Sequence, residues 1–221
     1  VKDAALVALA CWTTLAAAVA PASAQSEGGT PPVGAAAPPL PPPDKRLFRI
    51  LGVTVGPEGF APITKLLGDA KVVTRSTGTR VICYVGSDST RVVFEESATG
   101  WGYTIFSLIT PPLELVTSNA CTALFRLNQT TQNGTGLHTG QRRDELIDLL
   151  GQPQTGESQR LVWLFASEAD VTPGSDPRLP PDVARVAIRT KIFIRMKHSK
   201  AVRITVFAHQ SPLRADAAAP R

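Results

Sequence analysis

The chain has no Gly-x-Ser-x-Gly elbow, no His-Glu-x-x-His pair and no glycine-rich phosphate loop. It therefore lacks the usual arrangements for a serine nucleophile, a zinc-bound water or a nucleotide. Histidine is scarce: three in 221 residues, His138, His198 and His209, far apart in the chain. Isolated surface histidines are the default reading, and a metal trio would need the fold to gather them. Asp144-Glu145 could form a general-base pair; at the start of a helix they read first as a solvated, dipole-stabilising face. The sequence predicts no enzyme, no cofactor and no metal. Cysteine is equally sparse, with Cys11, Cys83 and Cys121, and Cys11 lies inside an N-terminal apolar run.

That run belongs to a leader. Lys2, an Ala-rich apolar stretch over residues 4–20, Pro21 and the triplet Ala22-Ser23-Ala24 read as a secretory signal peptide, residues 1–24, cut before Gln25. The competing reading, a permanent membrane span, needs about 20 apolar residues without a cleavage pattern at the far end. Residues 25–44 form a Pro-rich linker, with Pro31-Pro32 and Pro41-Pro42-Pro43, a composition that favours extended polyproline over packing. Residues 212–221 read as a disordered tail. The expectation is a periplasmic or secreted bacterial protein that is not transmembrane once the leader is removed.

Export leaves Cys83 and Cys121 as an even pair, and in an oxidising compartment the simplest reading is a disulfide. The alternative is a catalytic thiol, although Cys83 lies in a strand pattern with no histidine nearby in sequence. Two sequons, at Asn128 and Asn133, would matter only in a eukaryotic secretory route, which the composition does not favour. Lys and Arg number 23 against 18 Asp and Glu, a net charge of +5. Lys2 and Asp3 leave together, so the mature balance is unchanged. Such a protein is expected to meet an acidic protein face or an anionic envelope component, and no nucleic acid outside the cytoplasm.

Between linker and tail the chain repeats a plan. Leu66-Leu67-Gly68 and Leu149-Leu150-Gly151 each close a stretch that opens on glycine and is followed by β-rich sequence. In the first, Pro57 reads as sitting just inside a helix, with Phe60, Ile63, Leu66 and Leu67 on one face and Gly68 as its left-handed stop. Strand-like runs follow at 80–85, 91–95 and 102–108. In the second, Leu146, Ile147 and Leu150 form the apolar face and Gly151 with Pro153 ends the helix. Strands are expected at 160–165, 183–197 and 201–208, interrupted by an acidic, Pro-rich insertion over residues 167–182. Such an insertion is either functional or disordered. The fold class is α+β: two tandem units of short helix plus antiparallel sheet, over residues 45–128 and 129–211. Aligning the Leu-Leu-Gly tripeptides sets Tyr84 against Trp163.

The segment from Gly136-Leu137-His138-Thr139-Gly140-Gln141 through Leu149-Leu150-Gly151-Gln152-Pro153, followed by a strand with Trp163, resembles two families. One is the SmpA/OmlA type of outer-membrane assembly lipoprotein, with a Gly, a short helix, Leu-Gly-x-Pro and then a sheet. The other is the β-lactamase inhibitory proteins, built from two tandem helix-plus-sheet units. The first unit departs from the motif, with Asp69-Ala70 after its Gly, and the lipid-anchor cysteine of the first family has no counterpart. The resemblance implies binding of other proteins, as an envelope assembly factor or as an inhibitor of a secreted enzyme, and implies no catalytic residues.

Period-two alternation locates the candidate surface. It places Arg189, Lys191, Phe193, Arg195 and Lys197, with Arg203 and Phe207, on one face of the last hairpin. A three-residue turn, His198-Ser199-Lys200, is expected to set Arg195 opposite Arg203. Cations among exposed phenylalanines suit an acidic, partly apolar partner; the alternative is a solvated face that protects an edge from aggregation. Trp101 and Tyr103, in Gly100-Trp101-Gly102-Tyr103, form a second candidate, either a contact loop or core at a sheet end.

Overall fold

A computed structural model describes residues 40–96, 105–110, 120–176 and 179–213, all within one compact unit, Pro38–Arg221. The expected leader, most of the linker, all but the first two residues of the tail, and both Trp101 and Tyr103 lie outside the described residues.

Strand-forming stretches dominate, and the architecture is α+β with mostly antiparallel pairing. A 3-10 turn, Lys45–Phe48, is capped by Asp44, whose carboxylate accepts from the Arg46 amide. It leads into a small hairpin, β1 (Arg49–Ile50) and β2 (Val53–Thr54). Helix α1 (Ala61–Leu67) follows, then β3 (Val73–Thr74), β4 (Arg80–Val85), β5 (Arg91–Glu96) and β6 (Ile105–Ile109). After β7 (Thr122–Ala123) come α2 (Arg143–Leu150), β8 (Thr155–Glu157), β9 (Arg160–Asp170), β10 (Arg185–Lys197) and β11 (Lys200–Pro212).

Strands β3 to β11 form one sheet in the order β3-β4-β5-β6-β11-β10-β9-β8, with β7 parallel to β4. The strands after α1 and those after α2 join through β6 and β11, where Phe106 pairs with Val206 and Leu108 with Ile204. Alternation supplies the core: Tyr84, Phe94, Phe106, Ile204, Ile192 and Trp163 all point to one face and are buried. Ile63 and Leu67 of α1, Leu146 of α2, and Ile50 and Val53 of the hairpin cover that face. Each fully buried large side chain contributes about 1.5–3 kcal/mol.

Both helices end as their glycines require. Gly68 (φ 93°) and Gly151 (φ 78°) return the chain with extended ψ, and their amides bond to Thr64 and Ile147 carbonyls. A side chain at either φ would be strained. The Gly68 carbonyl accepts from the Tyr84 hydroxyl at 2.6 Å, and the Gly151 carbonyl accepts from Trp163 Nε1 at 2.9 Å.

Four local expectations need revision. Pro57 precedes α1 in a turn, and Pro62 takes the first helical turn instead. Leu66 is 51% exposed, because burial on so short a helix follows Ile63 to Leu67, one i,i+4 row. The stretch beginning at Ser167 is partly strand: 167–170 pair with 185–188. The remaining connection packs Leu179 and Val183 on Val186 in a small cluster of its own. The last hairpin closes through two residues, His198-Ser199, with Lys197 paired to Lys200, and a register shift beside Arg195/Met196 leaves Val202 as the extra residue.

Candidate binding face of the sheet

That bulge decides the site. A two-residue turn alone would move β11 one position along β10. The extra residue at Val202 restores the register, so Arg195 lies opposite Arg203, Phe193 opposite Thr205, Lys191 opposite Phe207 and Arg189 opposite His209. All lie on the face turned away from the helices, because Ile192, Ile194, Ile204 and Val206 between them are in the core. Arg189, Lys191, Arg195 and Lys197 are exposed; Phe193, Arg203 and Phe207 are half-buried. Of the nine residues singled out by sequence, these seven share one face, with Lys197 beyond the bulge.

The pairing continues across neighbouring strands. Arg195 faces Arg160 on β9, and Arg203 faces Ile109 on β6, which in turn faces Arg91 on β5. Arg160, Arg195 and Arg203 thus lie side by side on three adjacent strands, about 4.8 Å apart in the pairing direction, with Glu157 of β8 opposite Arg160 at the outer end of the row. Among the described residues no carboxylate lies within ion-pair distance of any of the three. Arg203 lies along two hydroxyls: its Nε donates to Thr205 Oγ1 at 3.2 Å, and its Nη2 reaches Ser107 Oγ at 3.5 Å. Those hydroxyls are bonded to each other at 2.9 Å. Burial pushes the Arg203 guanidinium below its ordinary pKa; Glu95 opposes this, and Arg75 and Arg195 add to it. Glu95 itself is engaged by both terminal nitrogens of Arg75, at 3.1 and 3.2 Å.

The next row along the face holds Val162, Phe193, Thr205, Ser107, Val93 and Cys83, strand by strand. Two characters therefore share one side of the sheet. Over β4 to β6, Val81, Cys83, Val93 and Ile109 form a buried apolar cluster with Cys121, and Cys83 and Cys121 are joined as a disulfide. Over β9 to β11 the face is cationic and aromatic, with the Phe207 and His209 rings parallel at 6.5 Å, up to its far end, where Glu168 and Asp170 pair with Arg185.

The polar residues weighed as catalytic have structural partners. Glu145 accepts from the Arg142 amide at 2.6 Å at the start of α2, and Asp144 pairs with Arg142 at 3.2 Å. His138 Nδ1 lies 2.8 Å from the Thr139 carbonyl. Among the described residues no group of three or more His, Cys, Asp or Glu could hold a metal ion, and no helix is long and apolar enough to cross a membrane.

Two features escaped the sequence. Arg160 joins the row through the β9–β10 register, which sets it opposite Arg195 and which alternation within one strand cannot reveal. Phe125 is 89% exposed on a turn pinned by the buried Leu127 and by a bond from the Leu124 amide to Val85; its flank, Leu124-Phe125-Arg126-Leu127, reads as ordinary core sequence.

No protein-family model matches the chain, and neither the curated proteins nor the solved structures contain a significant match to it.

Proposed function

We propose that this is an exported, non-enzymatic binding protein whose β9–β11 face holds an acidic, partly apolar face of another envelope protein. The observation that carries the reading is the aligned Arg160, Arg195 and Arg203, with no carboxylate in ion-pair range among the described residues. Like charges directly opposed across strands destabilise a sheet, and the half-buried Arg203, whose nearest opposing charge, Glu95, is engaged by Arg75, adds to that. A partner that supplies carboxylates to the row and an apolar surface to Phe193 and Phe207 would relieve both, with planar bidentate geometry favouring Arg over Lys. The disulfide fits an oxidising compartment and engages both thiols, which removes support for thiol chemistry.

Under the same reading the fold consists of two tandem helix-plus-sheet units. Its support is the recurrence of one device: a buried aromatic, Tyr84 or Trp163, donating to the carbonyl of the glycine that ends the preceding helix. That arrangement also agrees with the resemblance to envelope assembly factors and enzyme inhibitors, both of which act by holding other proteins.

The test is capture from envelope extract by the full chain and by its Phe193→Ala/Arg195→Ala variant. A protein retained by the first, lost by the second and released by raised salt is the expected result. Identical retention by both, or retention of anionic lipid or glycan alone, would refute the protein-binding reading.

A further inference from the structure

The turn between β10 and β11 holds two non-glycine residues in the left-handed region, His198 (φ 49°) and Ser199 (φ 62°). Two-residue hairpin turns of this hand favour Asn-Gly, since both central residues need positive φ. Histidine tolerates that region better than most residues, whereas serine gains nothing from it. A His-Ser pair therefore costs stability relative to Asn-Gly, and strain of this kind concentrates where side chains are needed.

Both side chains line a cleft of about 620 Å³ between this hairpin and the β8–β9 turn. Its remaining polar wall is Ser158, Gln159, Arg195 and Lys197. Every polar side chain in it can donate a hydrogen bond, two carry a full positive charge, and none is acidic. Neither Arg195 nor Lys197 has a carboxylate within ion-pair distance among the described residues. The bulge residue Val202 is itself on the wall, and the register shift falls beside Arg195 and Met196, which line the cleft too.

This donor set suits a tetrahedral oxyanion. A carboxylate offers two oxygens and one charge, leaving most of the wall unused. A phosphate monoester offers three terminal oxygens and close to two charges, enough for the Arg195 fork, the Lys197 ammonium and the two hydroxyls together. We propose that the cleft is a binding site for a phosphate monoester group. The site shares Arg195 with the sheet face but does not rest on the protein-binding reading.

The full chain would be titrated with inorganic phosphate, followed by calorimetry and by the amide resonances of the hairpin, with acetate as the control anion. The expected result is saturable binding of one phosphate per chain, at least about tenfold tighter than acetate, and weakened severalfold by Arg195→Gln and by Lys197→Gln. The decisive variant is His198→Asn with Ser199→Gly, which should raise the thermal midpoint yet weaken phosphate binding severalfold. A turn that is merely structural would gain stability without losing phosphate. Unchanged phosphate affinity in that variant, or equal affinity for acetate and phosphate, would overturn the proposal. Glycerol phosphate and vesicles containing phosphatidic acid then separate the sources: binding of the first alone points to a soluble or polymeric ester, and stronger binding to the vesicles to a lipid headgroup. Phe193→Ala, which lies outside the cleft, should leave phosphate affinity intact, so the failure of either reading is visible without the other.

Discussion

Replacing Arg195 by Thr should leave the free protein at least as stable as the parent, and at low salt more stable. Arg195 stands between Arg160 and Arg203, each directly opposite on a neighbouring strand, with no carboxylate in ion-pair range among the described residues. At an exposed site two unit charges about 6 Å apart repel by roughly 0.7 kcal/mol in water, and opposed like charges in sheets cost about 0.2–1 kcal/mol. Two such contacts give a gain of about 0.5–1.5 kcal/mol on removing the central cation, and Thr suits a strand. Screening sharpens the test, because the Debye length falls from about 30 Å at 0.01 M ionic strength to about 3 Å at 1 M. Chemical denaturation of parent and variant at both ionic strengths would show the gain at low salt and its collapse at high salt. A variant less stable than the parent by about 1 kcal/mol or more, or a gain indifferent to salt, would refute the account of the row as stability surrendered for binding.

Asn133→Ala should cost about 2–4 kcal/mol, read as a lower denaturation midpoint. The buried Asn133 side chain accepts from the Thr135 and Leu137 amides and donates to the Leu47 carbonyl, so its loss orphans buried backbone groups, and an unchanged midpoint would contradict the assignment. Cys83→Ser with Cys121→Ser opens a link across 38 residues and should cost about 4 kcal/mol in the chain-entropy model, measured in the same assay. Asp88 should contribute acid sensitivity. Burial would raise its pKa, but the Thr90 and Gln129 amides outweigh this and hold it below the ordinary carboxylate value. With the folded pKa depressed, its contribution is present above the unfolded pKa and is lost as pH falls through the folded one. Asp88→Asn should flatten that acid limb in a stability-versus-pH series, and an unchanged limb would assign it to other carboxylates.

Much of the basic face was legible because alternation along β10 is strict: one parity is buried at Ile192, Ile194 and Met196, and the other carries Arg189, Lys191, Phe193 and Arg195. The opposition of Arg195 and Arg203 was also legible, though through a different local route. A three-residue turn was expected, and a two-residue turn with a bulge gives the same register. Pairings between strands distant in sequence were not legible. Nothing local in Ile105–Ile109 or in β11 indicates that they join the two halves of the sheet, and the place of Arg160 depends on that kind of information. Burial on a single helical turn was misjudged at Leu66 for a simpler reason: with seven residues in α1, one helical row can reach the core and the adjacent position faces outward. Edge protection also depends on tertiary context. The Gln154 side chain bonds both backbone groups of Leu164, and the Pro41 carbonyl accepts from Ala166, closing part of the outer edge of β9 to other strands.

Carbene footprinting of the full chain in envelope extract and in buffer tests the central claim most directly, since it reports which surface becomes covered without requiring the partner's identity. The account predicts that labelling of Phe193 and Phe207 falls in extract, while the exposed Phe125, on its separate turn, is labelled equally in both. Unchanged labelling of Phe193 and Phe207, with or without protection of Phe125, would contradict it.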